Sequence, residues 1–292
     1  MVTDILGKQR IKLGLHVHTT RSDGLWSPEQ AATVYKNAGF DAIALTDHWV
    51  VGKEEEISEL RILAGCEYNI GGGDTAKGVY HIVGIGMNDD PKFSKTACAQ
   101  EIIDSIHKAG GLAVLAHPAW SLNSVEQMKQ LRGVDATEIY NTVSGVHASN
   151  RPYSGEFVDL AANADIVFPL LATDDTHYYD GEEAVAYIML DISDGDTSTP
   201  SILRKIKAGE FYATMGPEVH LSFNGTRAIV DCSPAMKVSF FSQNAWNRER
   251  NTYGDGVTHA EYTPAPFEKW IRAEVTDADG KVAWSNILQI ER

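Results

Sequence analysis

One short apolar run after another in this chain stops on a residue able to hold a cation. In the first run Ile11, Leu13, Leu15 and Val17 alternate with another set, the period of a strand buried on one side. His16 and His18 follow the same alternation two apart, so on a strand both point to one face. A Ser22-Asp23-Gly24 turn comes next. Asp41 to Leu45 stops at Thr46-Asp47-His48, and Ile62 to Gly65 stops at Cys66-Glu67. Val79 to Ile85 carries His81, Leu112 to Ala116 meets His117-Pro118, and Ala136 to Tyr140 ends at Asn141. Ile166 to Ala172 then runs into Thr173-Asp174-Asp175-Thr176-His177.

Helical segments separate these runs. Ser27-Pro28-Glu29 supplies an N-cap, a proline at the first helical position and an early acid, so a helix is expected to about Asn37, with Gly39 ending it. Further helices are expected over Lys95 to Lys108, Ser124 to Leu131, Glu156 to Ala162 and Thr199 to Ala208, and another strand over Ala184 to Ile192. Strands alternating with helices argue for an α/β fold, and polar groups gathered at successive strand ends argue for a barrel with its site at the carboxyl mouth. From Glu218 the texture changes to short alternating runs, Lys237 to Phe241 and Trp270 to Val275, with turns at Asn224-Gly225 and Asp277 to Gly280. The expected division is therefore a barrel over 1–217 and a small β-rich module over 218–292.

Charge narrows the partners. Twenty-five basic residues against forty acidic ones leave a net charge of −15, which repels extended nucleic acid and anionic membrane surfaces. No run of eighteen apolar residues is present and Met1 to Arg10 lacks a signal-peptide pattern, so a cytoplasmic protein is expected. The three cysteines, Cys66, Cys98 and Cys232, are widely spaced and indicate neither a disulfide framework nor a Cys-x-x-Cys zinc site.

Six of the ten histidines, His16, His18, His48, His81, His117 and His177, fall at or beside the carboxyl ends of predicted strands, together with Asp23, Glu67 and Asp175. Each alone has a bland explanation: a turn, a solvated carboxylate, a core histidine bonded to backbone. Nine such residues at one mouth do not, and imidazole with carboxylate suits zinc, manganese or iron. No Gly-x-Ser-x-Gly elbow occurs, and Cys66 reads as a small packing residue.

The run LHVHTTRSDG, Thr46-Asp47-His48, Glu67, His81, Ala116-His117-Pro118 and the late Asp-x-His occur together in an order that resembles the PHP superfamily of metal-dependent hydrolases. The resemblance spans Ile11 to about Pro217. His117-Pro118-Ala119-Trp120, Glu138-Ile139-Tyr140-Asn141, Asp174-Asp175-Thr176-His177 and Ala283-Trp284-Ser285-Asn286 are similar to the branch that includes carbaryl hydrolase. It implies a distorted (β/α)7 TIM-like barrel holding two or three divalent ions (Zn, Mn or Fe). It also implies a phosphoesterase using metal-activated water, with carbamate or carboxyl ester cleavage as the rival activity. One ion would take His16, His18, Glu67 and Asp175; a second Asp23, His48 and His177; a third Glu67, His81 and His117.

Other residues are candidates for lesser roles. Asp47 could orient a ligand, and His147, in a loop after Asn141, could give a proton to a leaving group. Arg21 and Arg151 could clamp a phosphate, and Trp49 and Trp120 could form an aromatic wall. The expected partner is a small, phosphorylated molecule. A barrel that binds metal without catalysing, acting as a binding module, is the reading from a different class.

Overall fold

The strand Gln9–Val17 is enclosed on both sides, and Ile11, Leu13 and Leu15 enter the core from one of them. The alternation led to the expectation of one buried face. What covers the other is a second apolar cluster, where Phe40 and Ile43 pack on Gly14 and Val17, and the ladder with Ala42–Leu45 shifts register between Gly14 and Val17, where His16 leaves the simple alternation.

The computed structural model describes residues 1–94, 96–147 and 149–290. Pro28–Asn37 is a helix closed at its start by a capping box: Ser27 Oγ accepts from Gln30 N–H, and Gln30 Oε1 accepts from Ser27 N–H. The helix expected from Lys95 begins at Ala99 and runs to Lys108, and Lys95 lies outside the described residues. The next expected helix is one turn, Val125–Met128. Ile166 to Ala172 shortens to the strand Leu170–Thr173, which starts after Pro169, a residue with no N–H for the ladder.

Two sheets carry the strands. In the larger, thirteen-stranded one, Leu60–Leu63, Ala42–Leu45 and Gln9–Val17 lie parallel, and Tyr187–Asp191 and Phe211–Thr214 follow antiparallel. The smaller one orders Leu170–Thr173, Ala136–Asn141, Leu112–Leu115, Tyr80–Ile85 and Gly65–Ile70. Among the described residues no ladder closes the two into a barrel. They meet through isolated parallel bridges, Val17 with Thr176 and His48 with Glu67. The mixed α/β class therefore stands, and the strands of the expected distorted (β/α)7 barrel fall into two sheets whose edges converge at one mouth.

Direction matters as much as order. Tyr80–Ile85 runs antiparallel to both of its neighbours, because it returns from Gly65–Ile70 as a hairpin with no crossover helix. His81 thus sits at the start of its strand, not at a carboxyl end, and still reaches the mouth.

The C-terminal strands form a second core around Val230, Phe240, Tyr262 and Val275. Their sheet nonetheless continues from Phe211–Thr214 through Val282–Trp284 to Trp270–Thr276, so it crosses position 217/218 without a break. Trp284 stacks on Tyr140 with ring centroids 5.2 Å apart, and buried Arg272 donates to both oxygens of Asp159 through Nε and Nη2, one edge of its guanidinium. No helix among the described residues is long and apolar enough to cross a membrane.

Candidate metal centre

His16 and His18 bring their Nε2 atoms within 3.2 Å of each other at the end of Gln9–Val17. Glu67 Oε2 lies 3.2 Å from the first and 2.9 Å from the second, and Asp175 Oδ1 lies 3.1 Å from both. Donors bound at about 2.0–2.1 Å around a tetrahedral ion stand roughly 3.3 Å apart. The four atoms have that spacing.

Two further groups share members with the first. Glu67 turns its other oxygen to His81 Nδ1, at 2.7 Å, and to His117 Nε2, at 3.4 Å. His18 turns its Nδ1 to Asp23, at 3.6 Å, where His48 and His177 complete a looser set at 3.8 and 3.6 Å from the same carboxylate. The residues so gathered are His16, His18, Asp23, His48, Glu67, His81, His117, Asp175 and His177. His18 joins the Asp23 group as well as its own, a double membership that the family-implied partition did not include.

Fit to cations can be judged from the buried atoms. His18 Nδ1, His48 Nδ1 and Asp175 Oδ1 are buried and have no hydrogen-bond partner among the described residues. Orphaned polar atoms in such numbers are costly unless something binds them. Imidazole and carboxylate are the donors that zinc, manganese and iron take, so the residues fit divalent ions.

A second layer of side chains aims these ligands. Glu138 Oε1 lies 2.8 Å from His16 Nδ1, and its Oε2 accepts the His117 backbone N–H and the Asn141 side-chain amide. Asn141 also donates to Asp175 Oδ2, at 3.2 Å. Asp47 accepts from Thr19 N–H, the Thr19 hydroxyl and the Ser22 hydroxyl, fixing the loop between His18 and Asp23. Gly24 lets that loop fold back, since a Cβ there would stand 2.6 Å from the His18 carbonyl. Glu138, Asn141 and Glu182 are buried polar residues beside the ligands that motif reading left without a role. Polar residues inside apolar strands were the available signal for the first two.

The charges are mutually dependent. Burial opposes protonation of His18, yet Asp175 and Glu67 outweigh it and push the ring up to about 9. His16 and His117 move upward against the same burial, driven by the same carboxylates and by Glu138. Burial raises Glu67 and Asp175, but the surrounding imidazoles hold both below the usual carboxyl range. His48 is moved down by burial, with Glu67 opposing. Protons and cations are thus alternative ways of neutralising these carboxylates, and an entering cation must displace protons.

Backbone strain collects here too. Trp49, His117, His147, Asp175 and Tyr179 all have positive φ, between 28° and 58°. Non-glycine residues in that region persist where the surrounding structure over-determines them.

A cavity of about 310 Å³ opens over the donors, lined on its other walls by Trp120, Val143, Ser144, Val146, His147 and Tyr178. Trp120 packs edge-on against His81 and His117. Trp49 is elsewhere: its indole N–H donates to Asn69 and its ring packs against Tyr68 and Phe93. Arg21 and Arg151 are absent from the lining. Arg21 pairs with Glu55 at 3.0 Å, and Arg151 is an exposed residue whose backbone N–H donates to Ser144. The expected arginine clamp and the Trp49 half of the aromatic wall therefore do not form around this cavity, because local partners draw Arg21 and Trp49 away.

No family model matches the chain. An uncharacterized protein of Methanocaldococcus jannaschii is 31% identical over 120 residues, covering 37% of this chain and 68% of that protein. Among solved structures, a two-domain protein from Bacteroides vulgatus containing a predicted PHP-like metal-dependent phosphoesterase superposes with a TM-score of 0.53. It covers 99% of this chain and 98% of its own at 14% identity, a likeness of fold. An amidohydrolase from Chromobacterium violaceum is similar at 17% identity and a TM-score of 0.44, over 66% of this chain and 96% of its own.

Proposed function

We propose that this chain, which belongs to the same family as the uncharacterized Methanocaldococcus jannaschii protein, is a multinuclear metal-dependent hydrolase that cleaves small phosphate esters. The observation that carries the reading is the sharing of Glu67 and His18 between adjacent donor groups. Groups that share ligands place cations side by side, and adjacent cations suit a substrate whose charge is spread over several oxygens. The PHP-like fold, alike over nearly the whole chain, supports the same class.

Zinc, manganese or iron held there would lower the pKa of a bound water and offset charge building on phosphoryl oxygens. The chain's own contribution is to hold the donors and shape the space. Glu138 fixes His16, Asn141 fixes Asp175, and Asp47 pins the loop that carries Asp23. Trp120, Val143 and Val146 exclude water from one side of a cavity sized for a small molecule. A net charge of −15 disfavours extended nucleic acid.

A second reading rests on a specific observation: among the described residues no lysine or arginine lines the cavity. Carbamate or carboxyl ester cleavage by the same centre needs no cationic side chain for an anionic substrate. The test is metal content per chain of gently purified protein, paired with hydrolysis of p-nitrophenyl phosphate, bis-p-nitrophenyl phosphate and p-nitrophenyl acetate after zinc or manganese addition. Two or three ions with phosphoester turnover is the expected result. Turnover of the acetate alone would favour the second reading, and a protein that holds no metal and turns over none would overturn both.

A further inference from the structure

Behind the loop that carries His177, Glu182 is fully buried and, among the described residues, only half satisfied. Its Oε1 accepts the backbone N–H groups of His177, Tyr178 and Tyr179 at 2.5–3.3 Å, closing the loop after Asp175. Its Oε2 is equally buried and has no hydrogen bond among the described residues. His147 Nε2 lies 3.4 Å from that oxygen, at ion-pair distance.

His147 is held for something. Its backbone has φ 53°, a conformation that a histidine adopts at a cost, and its ring lies against Tyr178 with centroids 4.1 Å apart. The ring lines the same cavity as His117, Asp175 and His177, with about a third of its side chain open to solvent. Among the described histidines of this cavity it is the one that belongs to no donor group. A strained imidazole beside an orphaned buried carboxylate oxygen is the arrangement of a base or acid with its orienting partner.

We propose that His147 is the proton donor to the leaving group, with Glu182 as the positioning residue that holds its ring, a role that rests on the hydrolase reading above. Water forms the new bond to phosphorus, the bond from phosphorus to the ester oxygen breaks, and the His147 ring proton passes to that oxygen. One water hydrogen stays on the product phosphate. The other leaves as a proton and, through solvent, restores the ring.

Leaving groups distinguish this role from a structural one. An aryl ester such as p-nitrophenyl phosphate departs as a stable anion and needs no proton, whereas an alkyl phosphate does. His147→Gln is expected to slow an alkyl phosphate such as glycerol 2-phosphate on the order of 100-fold, and p-nitrophenyl phosphate by less than about threefold. Glu182→Gln keeps an oxygen for the three backbone N–H groups and puts an amide donor where Oε2 was. It should reproduce the same selective loss, on the order of tenfold, with metal content unchanged. Equal losses on the two esters, or selective loss only where metal is lost, would overturn the proton-donor role. A metal-loaded wild-type protein that hydrolyses neither ester would overturn the phosphate-ester reading and this role with it.

Discussion

Glu138 Oε1 stands 2.8 Å from His16 Nδ1, while the other oxygen of the same carboxylate takes the backbone N–H of His117 at 2.8 Å. One side chain thereby sets two ligands that belong to different donor groups. A carboxylate behind a metal-binding imidazole fixes its tautomer and orientation and raises its basicity.

Glu138→Gln is therefore expected to weaken metal binding by roughly 10- to 100-fold while leaving the fold intact. Competition against a chromophoric chelator, with circular dichroism as the control for folding, reads the change. An unaltered affinity would show that Glu138 serves packing alone.

Glu67 has a different position, since its two oxygens face separate groups. Glu67→Ala should release more than one ion per chain, whereas Asp23→Ala, at the exposed edge of the looser group, should release at most one. Elemental analysis of the two purified variants decides it. Equal metal loss from both would contradict the shared-ligand geometry.

The arginines bear on substrate charge. Arg21 is paired with Glu55 and Arg151 is exposed outside the cavity, so Arg21→Ala and Arg151→Ala should each change phosphoester kcat/KM by less than about twofold. A tenfold loss for either would place it on the substrate after all.

Far from the centre, Asp4 and Arg10 form a buried pair at 2.8 Å with side chains 1% and 6% exposed. Burial pushes the Asp4 carboxyl up, but Arg10 and the Lys8 N–H more than offset it and hold the group below its ordinary value of 3.8. A carboxyl depressed in the folded state adds stability above its unfolded pKa, and that stability is lost as pH falls through the lower folded value. Asp4→Ala should thus cost about 3–5 kcal/mol at neutral pH, because it leaves Arg10 buried and unpaired. The cost should shrink on acidification below pH 3.8, and urea titrations at pH 7 and pH 3 would reveal a pH-independent difference if the pair contributes nothing.

The local elements were written in local chemistry. Ser27, Pro28 and Gln30 specify a helix start through one hydrogen-bonded box, and Leu112–Leu115 is apolar throughout because both its faces are covered. The candidate donors were legible as a set and not one by one, since imidazoles and carboxylates recurring beside successive apolar runs break the pattern together. Strand direction was not legible in the same way. A run such as Tyr80–Ile85 has the same period whether it lies parallel or antiparallel, so His81 was read at a carboxyl end when it stands at a strand start.

The sequence by itself thus determined an α/β chain with a ligand-type residue at each turn of its pattern, because periodicity, capping and residue type act over a few neighbours. Tertiary structure alone decided the rest: how two sheets meet at one mouth, the pairing of Arg21 with Glu55, and Glu138 and Glu182 placed behind histidines far away in sequence. Those outcomes depend on which distant surfaces meet. That choice is made by burial summed over the whole core, and no short window of sequence contains it.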